Sequence, residues 1–215
     1  MSIAVVALAL LLIVGILYLQ QRQAAGSAQE QADPPLEPNN SFEVPGGYLF
    51  HPGHTWVAEL SRETARVGMD SFAANLLGKL DRIAVIGEQR WVRQGQKLMT
   101  LTRDSETLEM LSPLEGVVTA INTEVIRNPE LAFRDPYGEG WVCVIKSPEM
   151  EINRRNLMPG AMTASWMENS LARLKSMLAQ ADPALAQDGG MPLPGTLGKV
   201  SPELRRQMIK EFLLT

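Results

Sequence analysis

The polar side chains best placed for catalysis or covalent attachment lie in residues 101–116. This run, LTRDSETLEMLSPLEG, predicts a β-hairpin. Its predicted tip, residues 103–107, is polar, and a hairpin tip exposes whatever nucleophile, base or amine it carries. Ser105 beside Asp104 is the candidate nucleophile, but no nucleophile-elbow pattern surrounds it and the sequence places no histidine near it. We therefore expect a solvated turn rather than a catalytic serine.

The other groups that could do chemistry are two acids on the hairpin, two histidines and one cysteine. Glu106 and Glu109 are three residues apart in an extended run, so they point to opposite faces and do not cooperate as acid and base. His51 and His54 form a His-x-x-His pair, but zinc sites take three or four protein ligands, which favours a structural role. Cys143 lies in an apolar run, which indicates a buried, inert thiol. We expect no catalytic residue, no metal site, no cofactor and no enzymatic activity.

Charge and composition narrow the remaining classes of function. The 215 residues, of which 45% are hydrophobic and 20% charged, suit one globular domain with appendages or two small domains. The net charge of −4 argues against nucleic acid as a partner, because phosphate binding requires a basic surface. The single cysteine excludes an internal disulfide framework.

The amino-terminal residues predict a membrane anchor. Residues 3–19 carry no charge, and as a helix with polar flanks they would span roughly 26 to 30 Å, enough for a bilayer core. A cleaved signal peptide is the alternative, because Gly26 and Ala28 offer a small-x-small site. Arg22, the first basic residue, follows the apolar run, which favours an uncleaved anchor. We expect a single-pass protein of the inner (cytoplasmic) membrane, with its folded domain on the cytoplasmic side.

Changes in composition divide the chain into six segments. A stretch with few large apolar groups predicts a flexible tether, and short apolar runs between Gly, Pro and Asn residues follow it. A helical pattern and then a Pro/Gly-rich stretch come next. The predicted segments are a transmembrane anchor 1–22, a tether 23–45, a β-rich domain 46–150, a helical extension 151–180, a linker 181–200 and a C-terminal docking helix 201–215.

The β-rich domain has the pattern of a small barrel or sandwich, because short apolar runs alternate with turn signals. Two stretches, 71–77 and 128–133, predict one or two helical turns each. The predicted strands are 54–60, 64–68, 82–86, 97–102, 107–111, 116–121 and 141–146.

The C-terminal residues predict a short amphipathic helix. Ser201 suits the N-cap, and Pro202 and Glu203 suit the first turn. A helix this short is not stable alone, so it must dock on the chain's own domain, on a partner subunit or on the bilayer surface. The preceding linker does not force it to fold back, so these alternatives stay open. The residues expected to dock are Leu204, Met208, Phe212 and Leu213.

Several motifs, in order along the chain, resemble the H protein of the glycine cleavage system. Residues 54–57, HTWV, resemble the family's His-x-Trp-Val, and 67–68, VG, precede a short helix as in that family. Residues 112–118, SPLEGVV, resemble its Ala-Pro-Val-Ser-Gly-x-Val turn. Residues 128–131, NPEL, and 135–141, DPYGEGW, resemble its Ser-Pro-Glu-Leu and Asp-Pro-Tyr-Gly-Glu-Gly-Trp.

The resemblance implies a mainly β fold with α-helices, a lipoyl-type barrel-sandwich hybrid, to which this chain adds a transmembrane helix and C-terminal helices. The family is a carrier rather than an enzyme: a lysine at a hairpin tip holds lipoate through an amide. That lysine lies eight residues before the proline of the turn, and counting back from Pro113 reaches Ser105. A hydroxyl cannot form the lipoamide, and Lys97 is the only lysine nearby.

These observations predict a degenerate family member that has lost the carrier role. We expect a non-catalytic, non-lipoylated accessory subunit of a bacterial membrane complex, which acts through contacts with other subunits. The alternative is a lipoyl or acyl carrier that uses Lys97 and serves a membrane-associated oxidoreductase.

Overall fold

A computed structural model of the chain describes residues 44–104, 106–181 and 194–215. The predicted anchor at residues 3–19, most of the predicted tether and Ser105 lie outside the described residues. Across the described ranges, no helix combines the length and the apolar character needed to cross a membrane.

Ten β-strands in the described residues form two antiparallel sheets. The strands are β1 Tyr48–His51, β2 Thr55–Glu59, β3 Thr64–Met69, β4 Arg82–Val85, β5 Trp91–Val92, β6 Lys97–Arg103, β7 Glu106–Leu111, β8 Gly116–Ile121, β9 Cys143–Lys146 and β10 Met158–Pro159. The larger sheet has the order β10-β1-β2-β3-β9-β8-β5, and the smaller sheet has the order β4-β6-β7.

Alternating side chains on the strands build one hydrophobic core that both sheets share. On β7, Leu108 and Met110 are buried while their neighbours are at least partly exposed, the period of two that marks a strand with one buried face. Val67 on β3 and Ile145 on β9 belong to the same buried cluster. Each large side chain buried in this way contributes about 1.5–3 kcal/mol. The mainly β fold with helices that the sequence predicts is confirmed.

Up to Ala181, the described residues form five α-helices: α1 Ser71–Leu77, α2 Thr123–Arg127, α3 Leu131–Arg134, α4 Met150–Arg154 and α5 Gly160–Ala181. Helix α1 begins after Asp70, whose side chain accepts a hydrogen bond from the Ala73 N–H at 2.8 Å and so caps the helix. The predicted helical extension is two helices, because β10 separates α4 from α5 and pairs with β1.

Residues 194–215, which we call the C-terminal segment, pack on the same domain. They form a 3₁₀ helix Thr196–Lys199, a helix α6 Pro202–Met208 and a π-helix Ile209–Leu213. The residues predicted to dock on a partner are buried in the core of the chain's own domain: Leu204, Met208, Phe212 and Leu213. Of the three surfaces that the sequence leaves open for this helix, these side chains lie against the chain's own domain.

Candidate functional site

The predicted presenting hairpin is formed by β6 and β7. Arg103 pairs with Glu106 next to the tip, and Lys97 pairs with Leu111 at the other end. Asp104 has a positive φ of 47°, the left-handed conformation that a two-residue hairpin turn requires and that Asp tolerates better than most residues. Ser105, which counting back from Pro113 predicts to be the position of the lipoyl lysine, lies outside the described residues.

Lys97 lies at the base of this hairpin, away from the tip. Its Nζ is 2.6 Å from Oε1 of Glu109 across the strand pair, and both side chains are nearly half exposed. Five residues of β6 lie between Lys97 and Arg103, which is next to the tip. The register therefore places the nearest amine of the hairpin at the end opposite to the turn.

Arg103 turns back from the tip toward the domain. Its Nη1 donates hydrogen bonds to the backbone oxygens of Leu77, at the end of α1, and of Gly195, in the C-terminal segment. Only 21% of the Arg103 side chain is exposed. A guanidinium held by backbone oxygens from two separate elements fixes the strand end that leads into the turn.

The return strand is held in a similar way by Arg205 of α6. Arg205 Nη1 forms an ion pair with the Glu106 carboxylate, and Arg205 Nε donates to the Leu197 oxygen at 2.9 Å. The Arg205 side chain is 18% exposed, whereas Glu106 is 55% exposed. Glu106 and Arg205 are separated by 99 positions in sequence, so no local pattern could have predicted the pair.

A third contact holds the tip from the loop that follows α1. The Asp104 N–H donates to Oδ2 of Asp81 at 2.8 Å, and the Asp81 N–H donates to the Thr102 oxygen at 2.9 Å. The described residues on both sides of the turn are thus fastened to the domain. A cleft of about 200 Å³ remains between the tip and the C-terminal segment. It is lined by Arg103, Asp104, Glu106, Leu108, Leu197, Gly198 and Arg205.

His54 lies elsewhere, in a packed interior site. It is 1% exposed, its Nδ1 is 2.7 Å from Oδ2 of Asp70, and its ring stacks on Phe72 at 4.2 Å and on Trp166 at 4.5 Å. Because Asp70 also caps α1, the pair joins the β1–β2 turn to that helix. The structure thus gives His54 packing and hydrogen-bonding contacts of the kind a scaffold residue makes.

His51 and Cys143 are buried groups whose surroundings favour the neutral form. Burial, with a smaller contribution from His54, lowers the pKa of His51 from 6.5 to about 4. His51 Nδ1 accepts a hydrogen bond from the Gly53 N–H at 3.0 Å, which requires that nitrogen to be unprotonated. Burial raises the pKa of the Cys143 thiol to about 12, so it is not a nucleophile. Across the described residues, no group of three or more His, Cys, Asp or Glu side chains could hold a metal ion.

The turn at residues 135–141 is built from its own residues. The Asp135 carboxylate accepts hydrogen bonds from the backbone N–H groups of Gly138 at 2.9 Å and Glu139 at 2.7 Å. A Cβ on Gly138 would overlap that carboxylate, so a larger residue there would displace the Asp135 side chain from these hydrogen bonds. Trp56 Nε1 donates to the Pro136 oxygen at 3.0 Å and ties the turn to β2. The turn has a structural role.

Comparisons with known proteins agree with these motifs. Residues 48–170 match the family model described as "Glycine cleavage H-protein". The chain is 31% identical over 121 residues to a glycine cleavage system H protein of Xylella fastidiosa, which covers 56% of this chain and 92% of that relative. It is 28% identical over 111 residues to a glycine cleavage system H protein of Coprothermobacter proteolyticus, covering 52% of this chain and 87% of that relative.

A solved structure has a similar fold. A crystal structure of a glycine cleavage system H protein from Mycobacterium marinum superposes with a TM-score of 0.52. The match covers 58% of this chain and 99% of that protein. At 22% sequence identity, the likeness supports the fold.

Proposed function

The chain belongs to the glycine cleavage H-protein family, and from that premise we propose that it is a member without lipoate that serves as a non-catalytic accessory subunit of a bacterial membrane complex. It acts through protein–protein contacts. Its relatives are named as H proteins of the glycine cleavage system, so the proposal separates this chain from them at one position, the hairpin tip.

The residue types at the tip carry this proposal. Lipoate attaches through an amide, which requires a primary amine, and the position equivalent to the family's lysine is Ser105. Lys97 is the only lysine between residues 97 and 111, and it lies at the base of the hairpin, paired with Glu109. A carrier that used Lys97 would hold its arm at the wrong end of the strands. The carrier alternative gains no support from this geometry.

The membrane part of the proposal is supported by the sequence. Residues 3–19 are an uncharged apolar run followed by a tether with few large apolar groups. Such an arrangement holds a folded domain near a bilayer, where it meets the subunits of a membrane complex. The orientation we propose, with the domain on the cytoplasmic side, follows from Arg22 after the apolar run.

Intact mass spectrometry tests the loss of the carrier role. The full chain is expressed with a lipoate ligase and free lipoate, beside a lysine-bearing lipoyl carrier as the positive control. We expect the control to gain one lipoyl group and this chain to gain none. A mass increase that disappears in the Lys97→Arg variant would instead establish the carrier alternative.

Isolation from native membrane tests the accessory role. The full chain, carrying an affinity tag, is extracted in mild detergent after its insertion has been verified by resistance to carbonate extraction. We expect a fixed set of subunits to co-purify in constant ratio. Recovery of the inserted chain alone would contradict the accessory role without affecting the result on lipoate.

A further inference from the structure

We propose that the outer face of the larger sheet is a contact surface for an anionic lipid bilayer, against which it holds the folded domain. The outer face comprises Arg66 on β3, Trp91 on β5, Val117 on β8, and Val144 and Lys146 on β9. The inference rests on the proposed function, because it takes the chain to be anchored in a membrane. It adds a direct contact between the domain and lipid to the attachment through the anchor.

The strands of this sheet direct alternate side chains into the core and away from it. On β3, the residues on both sides of Arg66 are fully buried, whereas Arg66 itself is exposed. Trp91 pairs with Val117, which pairs in turn with Lys146. Two residues before Lys146, Val144 pairs with Arg66. Because paired residues of neighbouring strands point to the same side, these side chains form one continuous surface.

The outer face carries positive charge, although the whole chain has a net charge of −4. Lys146 is 57% exposed, and its Nζ lies 3.7 Å from the carboxylate of Glu63. Arg93 is exposed and follows Trp91 by two residues at the end of β5. Within the described parts of the chain, no ion pair includes Arg66 or Arg93. Each basic side chain near an anionic leaflet raises the bound fraction about fivefold, so two unneutralised guanidinium groups favour this partner.

Two indole rings accompany these charges. Trp91 is 50% exposed, and the partly buried Val117 is its neighbour on β8. Trp141 is partly buried, and its ring lies 5.2 Å from the guanidinium carbon of Arg66. Tryptophan is enriched at the headgroup level of bilayers, because its ring is apolar and its N–H group is polar. A half-exposed indole beside unpaired arginines is therefore suited to the boundary between water and lipid.

The proposed anchor makes a bilayer a better partner for this face than an acidic protein surface. A tether of about 25 residues spans roughly 25 to 30 Å on root-mean-square, so the anchored domain stays within reach of the headgroups. The effective concentration of lipid at the domain is then roughly millimolar or higher, and a weak contact is sufficient. The cytoplasmic leaflet, which the proposed orientation places next to the domain, is the anionic one.

Quenching of Trp91 fluorescence by lipid tests the contact. The full chain is reconstituted in vesicles of phosphatidylcholine brominated near the headgroup, alone or mixed with an equal part of phosphatidylglycerol brominated in the same way. The signal of Trp91 is the difference between wild type and Trp91→Phe. We expect this signal to be quenched at least about twofold more in the anionic vesicles, and the excess to disappear at high salt. Equal quenching in the two kinds of vesicle would overturn the proposal.

Matched charge variants test the role of the basic residues. One full-length variant carries Arg66→Gln, Arg93→Gln and Lys146→Gln. Its control carries Lys79→Gln, Lys175→Gln and Lys210→Gln, which remove the same charge from exposed positions on other elements. After circular dichroism has verified that both are folded, we expect the first variant to lose the excess quenching and the control to keep it. Arg93→Gln and Lys175→Gln replace the two if the first variant unfolds. Equal losses would refute the assignment to the outer face.

The outcome can be separated from that of the proposed function. If carbonate extraction shows that the anchor does not insert, wild type and the first variant are mixed with preformed vesicles at low ionic strength. Wild type should then float preferentially with the vesicles that contain phosphatidylglycerol, and the absence of that preference would overturn the proposal. If the first variant loses the co-purifying subunits while quenching of Trp91 is equal in both kinds of vesicle, the outer face binds an acidic partner subunit and the bilayer contact is refuted.

Discussion

The turn at residues 135–141 and the tip of the β6–β7 hairpin are both short polar connections, but they are stabilised over very different sequence distances. In the turn, Asp135 bonds N–H groups three and four residues later. At the tip, Glu106 bonds Arg205, which is 99 positions away. The turn can be read from a motif, whereas the contacts of the tip depend on a segment that the motif does not include. A family motif thus predicts the structure of the scaffold more reliably than it predicts the contacts of the candidate site.

The largest change in the free energy of unfolding is expected from a substitution that detaches the turn at residues 135–141. Trp56 is fully buried and bonds both the Met69 and the Pro136 oxygens. We expect Trp56→Ala to lower the free energy of unfolding by about 3–5 kcal/mol, measured by urea denaturation. A loss below about 1 kcal/mol would show that the turn does not need this tie to β2.

Acidification should lower the free energy of unfolding through His51, which lies in the region of the domain covered by the C-terminal segment. An added Cβ on Gly53 would lie 3.1 Å from Nδ1 of His51 and 3.4 Å from the Leu213 oxygen, so Gly53 is close to both His51 and this segment. The pKa of His51 is lowered from 6.5 to about 4, so the unfolded chain binds the extra proton between these values. The contribution of His51 to the free energy of unfolding is therefore fully present above pH 6.5. It decreases by up to about 3 kcal/mol as the pH falls toward 4.

The measurement is the free energy of unfolding from pH 7 to pH 4 in wild type and in His51→Gln. We expect the variant to show a shallower decrease, because it has no imidazole to protonate. When the pH is lowered, the amide groups next to the tip should lose more protection from hydrogen exchange than those of the turn at residues 135–141. Identical pH profiles for the two proteins would refute the assignment to His51.

Arg205→Ala should separate the two regions directly. Loss of its charged hydrogen bonds should lower the free energy of unfolding by about 2 kcal/mol and speed amide exchange at the tip. The turn should keep its exchange rates, because the Asp135 carboxylate bonds N–H groups within the turn itself. Equal loosening of both regions would mean that Arg205 does not hold the tip separately from the rest of the domain.

The smallest effect is expected at the base of the hairpin. Lys97 and Glu109 are each nearly half exposed, so water screens their ion pair. We expect Lys97→Ala to change the free energy of unfolding by no more than about 0.5 kcal/mol and to leave exchange at the tip unaltered. A change as large as that in Arg205→Ala would indicate that the base and the tip are coupled.

The sequence predicts the parts of the fold that follow from local patterns. Alternation predicts β8 at 116–121 and the predicted helix 71–77 is α1, because side-chain period and the cap at Asp70 act within a few residues. The strands β5 and β10 have two residues each, too few for a period to show. They exist because neighbouring strands offer them partners.

The candidate site also combines features that the local sequence predicts with features that depend on distant residues. Counting from Pro113 predicts the tip position at Ser105 from sequence alone. The roles of Arg103 and Arg205 could not be predicted, since their partners are distant in sequence and are largely backbone oxygens. The apolar stripe on the last helix is visible in the sequence, but whether it packs on the chain or on a partner depends on the surface it meets.

The long separation between Glu106 and Arg205 also sets an order of events during synthesis. At the usual rate of translation, the 99 positions between them take about 5 to 20 s to add. Until Arg205 has left the ribosome, the nascent hairpin can fold without being fastened. The attachment of the hairpin to the C-terminal segment is therefore timed by translation, and a nascent chain stalled before Arg205 would lack the Arg205–Glu106 ion pair.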